Sequence, residues 1–511
     1  MKHFIRLICL FAAALMVFSA VSCGSTETDD NTETTAAAAG TTAEEVTTSN
    51  LDKNGFLLDD LPELNYNGDT VSFLYWSDVQ RPEFEIKEED VSGSIVEEAI
   101  YNKNMQTEER LGIKFEWHGE KGNNDNINSF TTFVTNCYNG GNFYDIVATY
   151  SRSAAACTTR GLYTDLNTID GSYFNFEKPW WPNTMYDACT IGNSLYFISG
   201  DISTNVLHFM YGVYYNMDLL KNLNLEDPVK YVDDMTWTID KMIEMSSGLY
   251  QDLDQSGKQS DLDFYGFCTQ YFHLDAFYTG SGMRLVEDDP DELLIISPDF
   301  TSEKCVDMVA KLGDWLTTSS CYVSGGRLGS VSYQVPFASG NALFCLNRVY
   351  MADALNASKL HDVKWTYSIV PTPLYDADQE NYVTVIGNPF TLYGIMQGIS
   401  DENLVRNSAV IECLASKAYR LTTPALFETN MKYRYTNEER GDAVRMFDII
   451  HDTIDFDLGR IFAYALSGMS EMPSKAAAKG TSWGATMKAQ EKTLKADLAS
   501  KVVGPLRALN P

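Results

Sequence analysis

Apolar residues recur along this chain with two periods, and the switches between them mark its elements. Thr70 to Trp76 is a short apolar run bounded by Gly68 and Ser77, which reads as a strand. A helix is expected from Ser94 to about Leu111. Ser94 and Glu97 make a capping box, Val96, Ile100 and Leu111 share one stripe, and Gly112 is placed to stop the helix. Ile113 to Trp117 then reads as a second strand, Phe130 to Cys137 as a helix and Tyr144 to Ala148 as a third strand. This alternation predicts an α/β layer around a mostly parallel sheet. Ligands of such sheets sit beyond the carboxyl ends of the strands, here Trp76 with Ser77, and Tyr150 with Ser151 and Arg152.

The first 60 residues follow another pattern. Lys2 and Arg6 precede an unbroken run of apolar and small residues from Leu7 to Ala20, too short for a membrane span of about 20 residues. This predicts an export signal over residues 1–22. Ala20-Val21-Ser22-Cys23 resembles the lipobox of a bacterial lipoprotein signal, with Ala20 where leucine is commonest. The resemblance implies lipidation of Cys23, which would anchor the chain to the extracellular face of the cell membrane; an ordinary cleaved signal is the alternative. Residues 24–50 are small, polar and acidic, with no basic or aromatic residue. Such a stretch cannot bury enough apolar surface to order itself, and residues 23–60 read as a tether.

Composition narrows what the remainder can do. Lys and Arg total 38 against 70 for Asp and Glu, a formal net charge of −32, the wrong sign for a phosphate-backbone partner; nucleic acid is excluded. Beyond Cys9 and Cys23, eight cysteines remain, at 137, 157, 189, 268, 305, 321, 345 and 413, with no C-x-x-C pair. That argues against a thiolate metal site or a thioredoxin-type centre and leaves buried thiols and disulfides both open.

From residue 66 onward the chain resembles the large carbohydrate-type extracellular solute-binding proteins of ABC transporters. Asp145-Ile146-Val147, then Gly161-Leu162-Tyr163-Thr164-Asp165-Leu166, are similar to the family's "D-I-V" and "G-x-L-x-D-L". Leu195-Tyr196 leads through Gly200-Asp201 to Tyr214-Tyr215-Asn216, similar to the passage "L-Y-x-x-P" to "Y-N-K", with Met217 replacing the lysine. Thr236-Trp237 with Asp240, Phe337 to Ala342, and Val370-Pro371-Thr372-Pro373 resemble three later markers in the family's order. The resemblance implies a two-lobed, periplasmic-binding-protein-like α/β fold with hinge strands and a central ligand cleft. Lobe 1 would comprise 66–203 and 369–428, lobe 2 206–366 and 429–511, with crossings near Asp201 to Asn205 and Ser368 to Pro373. The helix around Met487, Leu494 and Leu498 should pack on lobe 2. It further implies a monomer that captures a carbohydrate, such as an oligosaccharide, and hands it to ABC permease subunits without catalysis.

Sugar rings stack their C–H faces on aromatic rings and bond their hydroxyls to amides, carboxylates and guanidinium groups. Among eight tryptophans and 29 tyrosines, the best placed platforms are Trp76 and Trp181, then Tyr150 and Trp365. Polar partners are expected at Asp78, Arg152, Asp201, Asn347 and Arg348; the last two follow an apolar strand that faces the cleft in the family. A single aromatic more often belongs to the core than to a ligand platform, and a surface ion pair is the alternative for Asn347 and Arg348.

Asp252, Asp254, Ser256, Gly257, Lys258, Ser260 and Asp263 fall at the spacings of a calcium loop, with Lys258 supplying its carbonyl and Asp263 standing where a glutamate would chelate. A strand-like Phe264-Tyr265-Gly266-Phe267 follows instead of a helix, so structural calcium and a plain acidic turn both fit. Gly480-Thr481-Ser482-Trp483-Gly484 matches G-x-S-x-G, but no histidine follows His451 to complete a hydrolase triad. The mature histidines form no zinc motif. A glycoside hydrolase, needing only two carboxylates, and a surface glycan-binding lipoprotein remain the alternatives.

Overall fold

The computed structural model describes residues 50–91, 93–324, 332–352, 365–431 and 437–509. The signal, Cys23 and the tether up to residue 49 lie outside them. In chain order the principal elements are β1 (Asp69–Trp76), α1 (Ile95–Leu111), β2 (Ile113–Glu120), α2 (Ile127–Gly140), β3 (Ile146–Tyr150) and α3 (Ser151–Thr158). Then come β4 (Tyr211–Asn216), β5 (Phe264–Gln270), α4 (Glu303–Leu316), β6 (Cys321–Ser324), β7 (Ala342–Arg348) and β8 (Tyr367–Val370). The chain ends with β9 (Thr391–Ile395), α5 (Asp401–Met431), α6 (Asn437–Asp452), α7 (Met472–Ala478) and α8 (Trp483–Asp497).

Two sheets make a two-lobed α/β fold. The smaller has the order β9-β3-β1-β2, with β1 parallel to both β2 and β3 and β9 antiparallel to β3. In the larger, β8 and β7 flank β4 in antiparallel pairing, and β5 runs parallel to β7 and β6. Local chemistry explains α1 well: Ser94 Oγ accepts from the Glu97 amide at 3.3 Å, and Gly112 closes the helix at φ 62°, where a side chain would also collide with Asn65. The long α5 packs on α1. Its Arg406 reaches under the sheet to Asp145 Oδ1 at 2.6 Å and Asp69 Oδ2 at 3.4 Å, so the acid of the "D-I-V" strand locks helix to sheet.

The two sheets are joined by segments that run side by side. Residues 198–210 and 386–393 bridge antiparallel at Ile198 with Tyr393 and at Met210 with Ile386, and the Gly387 amide donates to Phe209 O at 2.8 Å. The first of these segments includes Asp201 to Asn205. The return expected near Ser368 to Pro373 falls later: Tyr367–Val370 pairs along four residues with β4 inside the larger sheet, and Trp237 Nε1 holds Pro371 O at 2.9 Å. The chain reaches the smaller sheet only at Thr391.

At the C-terminal end, α7 and α8 pack on α4, with Met487, Leu494 and Leu498 buried and Trp483 donating to Phe300 O at 2.9 Å. Ser482 of the G-x-S-x-G match is the N-cap of α8, its hydroxyl accepting from the Ala485 amide. The eight described cysteines are free thiols, seven of them buried. Among the described residues no helix is long and apolar enough to cross a membrane.

Candidate functional site

The carboxyl ends of β1 and β3 in one sheet, and of β5 and β7 in the other, converge on the crossing segment around Asn388, with the start of antiparallel β4 beside them. Ser151, opening α3 directly after β3, donates through its amide to Phe390 O at 3.0 Å and through its hydroxyl to Asn388 O at 2.7 Å. From the other side Arg460 donates to Ile386 O at 3.0 Å and Asn388 Oδ1 at 3.3 Å, and pairs with Asp275 at 2.6 Å. Both members of that pair are buried, and Asp275 Oδ1 has no hydrogen-bond partner. Burial raises the Asp275 carboxyl and Arg460 opposes the rise.

Two further arginines complete the cluster. Arg348, last in β7 and 8% exposed, donates through Nε to Tyr211 Oη at 3.2 Å. Its guanidinium lies over the rings of Phe209, Tyr211 and Phe272, 5.0 to 5.6 Å from their centroids. Gly387 makes room for it: a Cβ there would stand 2.7 Å from Arg348 Cζ. Arg152, 9% exposed, donates from Nη1 to Asn124 Oδ1 at 3.1 Å, while its Nε and Nη2 are buried without a hydrogen bond. Its nearest acid, Glu471, stands at 3.6 Å and is already paired with Lys475 at 2.9 Å. Tyr150 lies among these groups: burial raises its phenol, and the charges of Arg152, Arg348 and Arg460 all pull it back. His273, packed edge-on against Tyr211, is held well below its usual range by burial and by Arg348, so its ring is neutral at pH 7.

Of the residues proposed from sequence, Tyr150, Arg152, Asn347 and Arg348 are brought to this cluster, Asn347 by fixing its neighbour: its Oδ1 accepts from the Arg348 amide at 2.8 Å. The others have different employment. Trp76 is fully buried, with Nε1 on Thr391 Oγ1 at 2.9 Å. Asp78 caps the turn before α2, accepting from the Gly122 and Asn123 amides and from Asn126 Nδ2. Trp180 and Trp181 both donate to the carboxylate of Glu412, at 2.9 and 3.0 Å, inside the core. Asp201 is buried against His451 at 2.9 Å and Thr423 at 2.8 Å. Trp365 packs on Gly340 and Phe337, before the start of β7, while Arg348 ends that strand, whose seven residues span roughly 20 Å at the usual rise per residue. Sequence reasoning missed Tyr211, Phe272, Asp275, Arg460 and Glu471. Tyr211 had a signal, as the first residue of a strand entered directly from a crossing; Arg460 and Glu471 come from the last 60 residues and carry none.

In the acidic loop, carboxylate oxygens of Asp252, Asp254 and Asp263 lie within 4.8 Å of one another. Asp252 accepts from the Ser256 and Gly257 amides, and Asp263, fully buried, accepts from Leu253 and Ser260 amides. The Lys258 carbonyl accepts from Ser256 Oγ at 2.8 Å. Three convergent carboxylates on a glycine turn are the kind of oxygen ligands a hard divalent cation takes.

The chain has the two-lobed fold of ABC-transporter solute-binding proteins. It is similar to a cyclo/maltodextrin-binding protein complexed with maltotetraose, with a TM-score of 0.55 and 13% identity over 85% of this chain and 98% of that one. It is also similar to the galacto-N-biose/lacto-N-biose I-binding protein of the ABC transporter from Bifidobacterium longum, complexed with lacto-N-biose (0.52, 10%, covering 87% and 98%). A third, UgpB from Mycobacterium tuberculosis, is complexed with glycerophosphocholine (0.50, 12%, covering 85% and 100%). No protein-family model and no curated protein matches the sequence.

Proposed function

We propose that this protein is the extracellular solute-binding subunit of an ABC importer, that it captures an oligosaccharide between its lobes, and that it is held at the membrane by lipid on Cys23. The observation that carries the reading is the convergence of Tyr150, Arg152, Arg348, Asp275 and Arg460, from opposite lobes, on the crossing segment at Asn388. Donors fixed on two rigid sheets joined by paired crossing strands are suited to a hinged closure, in which a solute bonded to both sides favours the closed shape that a permease distinguishes. Phe272, half-buried beside Arg348, and Tyr464, 50% exposed on the turn packed against α3, offer aromatic faces for sugar rings. The Asp252–Asp263 loop would hold calcium as a structural ion, away from the solute.

Thermal unfolding of the purified protein against a panel of oligosaccharides tests the reading. A ligand at about 100 times its dissociation constant adds about 2.7 kcal/mol and raises the midpoint measurably. A shift without turnover supports capture; release of reducing ends moves the protein to the hydrolases, and no shift removes the carbohydrate assignment. A second reading, a non-sugar polar solute, draws on the glycerophosphocholine complex of a protein with this fold. Cys23→Ser should release the protein from the membrane fraction if lipid anchors it.

A further inference from the structure

The cluster around Tyr150 carries more positive charge than its own carboxylates balance. Arg348, Arg152, Arg460 and Lys475 stand there against three acids, Asp275, Glu471 and, acting on Arg460, Asp457. Arg460 takes Asp275 at 2.6 Å and Lys475 takes Glu471 at 2.9 Å. Among the described residues Arg348 makes no ion pair: its Nε donates to Tyr211 Oη, three aromatic rings surround its guanidinium, and Asp275, which pairs with Arg460, acts on it only from a longer distance. Arg152 keeps its buried Nε and Nη2 without a hydrogen bond, Nη2 standing 3.6 Å from an oxygen of Glu471, a carboxylate it shares with Lys475. This excess sits inside a chain of net charge −32, where acids to neutralise it are plentiful elsewhere. An unpaired buried guanidinium is costly, and a neutral hydroxyl that accepts its hydrogen bonds leaves the charge uncompensated.

We infer that the solute is an anionic saccharide whose oxyanion, a uronate carboxylate or a sulfate or phosphate ester, seats on Arg348 and Arg152. This rests on the oligosaccharide reading above and specifies its substrate class. The planar fork of a guanidinium matches the paired oxygens of a carboxylate or ester oxyanion. The three rings around Arg348 exclude water on its flanks and fix its direction, and Gly387, lacking a side chain, keeps the crossing segment from displacing it. Asn347, whose carboxamide oxygen takes the Arg348 amide, positions the strand end; it need not touch the solute.

Titration calorimetry of the purified protein decides the matter with matched ligands: an oligogalacturonate, the same oligomer with its carboxyls reduced to primary alcohols, a sulfated and a phosphorylated oligosaccharide, and a neutral malto-oligosaccharide. The acidic oligomer of the right source should bind at least about tenfold more tightly than its neutral counterpart, the difference expected for one charge-assisted contact. Which of the carboxylate, sulfate and phosphate arms binds identifies the source. Arg348→Gln should abolish the preference, and Arg152→Lys should reduce it, while Trp181→Phe leaves it intact. Should Arg348→Gln fail to fold, the wild-type comparison still decides. Equal or tighter binding of the neutral member overturns the inference and leaves oligosaccharide capture standing. Failure of every saccharide, charged or neutral, overturns both.

Discussion

Replacing Asp201 by Asn should unfasten the crossing segment from α6 without touching the solute site. Asp201 is 1% exposed, accepts from Thr423 Oγ1 at 2.8 Å and pairs with His451 Nε2 at 2.9 Å, while Asp452 faces the other ring nitrogen at 3.2 Å. Burial alone would favour a neutral imidazole, but Asp201 and Asp452 outweigh it and raise His451 to about 10. An unfolded histidine titrates near 6.5, so at pH 7 the folded state holds a proton that the unfolded state has mostly lost. Over the roughly three pH units from 7 to that folded value, at about 1.4 kcal/mol each, the pair accounts for up to about 4 kcal/mol, in line with about 3–5 kcal/mol for breaking a buried pair. The sign follows from the raised pKa: this stability is fully present below about pH 6.5 and is lost as pH rises through about 10. Denaturant unfolding of wild type and Asp201→Asn at pH 6, 8 and 10 should therefore show a stability difference that is largest at pH 6 and shrinks steadily toward pH 10. A difference that stays constant with pH, or one below about 1 kcal/mol at pH 6, would refute the argument. Loss of solute affinity at unchanged stability would return Asp201 to the binding site.

Three other outcomes follow from packing and ligation. Trp181→Phe removes one of two indole donors from the buried Glu412 carboxyl, which burial raises to about 7; about 1–3 kcal/mol of stability should go while solute affinity stays, and the reverse result would make Trp181 a platform after all. Gly387→Ala drives a methyl into the Arg348 guanidinium and should cost about 1–3 kcal/mol together with solute binding; an unchanged binding isotherm would separate Arg348 from the site. Millimolar calcium should raise the melting midpoint and a chelator lower it, and Asp252→Ala should erase the difference; a midpoint indifferent to both would leave the loop an acidic turn.

Local rules carried the first third of the folded chain. A capping box, an apolar stripe and a stop glycine are decided within about 18 residues, so α1 was legible from Ser94, Glu97 and Gly112, and the strands around it from their apolar runs. Topology brought Tyr150, Arg152 and Arg348 into one cluster, because a residue just past the carboxyl end of a strand has few other places to go. The same reasoning misplaced Trp76 and Trp181. A tryptophan at a strand end looks alike whether its ring turns to a cleft or to the core, and what turned Trp181 inward is Glu412, 231 positions further on. Likewise Arg460 meets Asp275 across 185 positions, and the return to the smaller sheet shifted because β8 found a partner in β4. Local patterning was enough to set the elements and the ends of strands where a site could form. Which charges are neutralised there, and which are left for a solute, was decided only in the tertiary structure, since burial and pairing are properties of neighbours that the chain brings together from its distant parts.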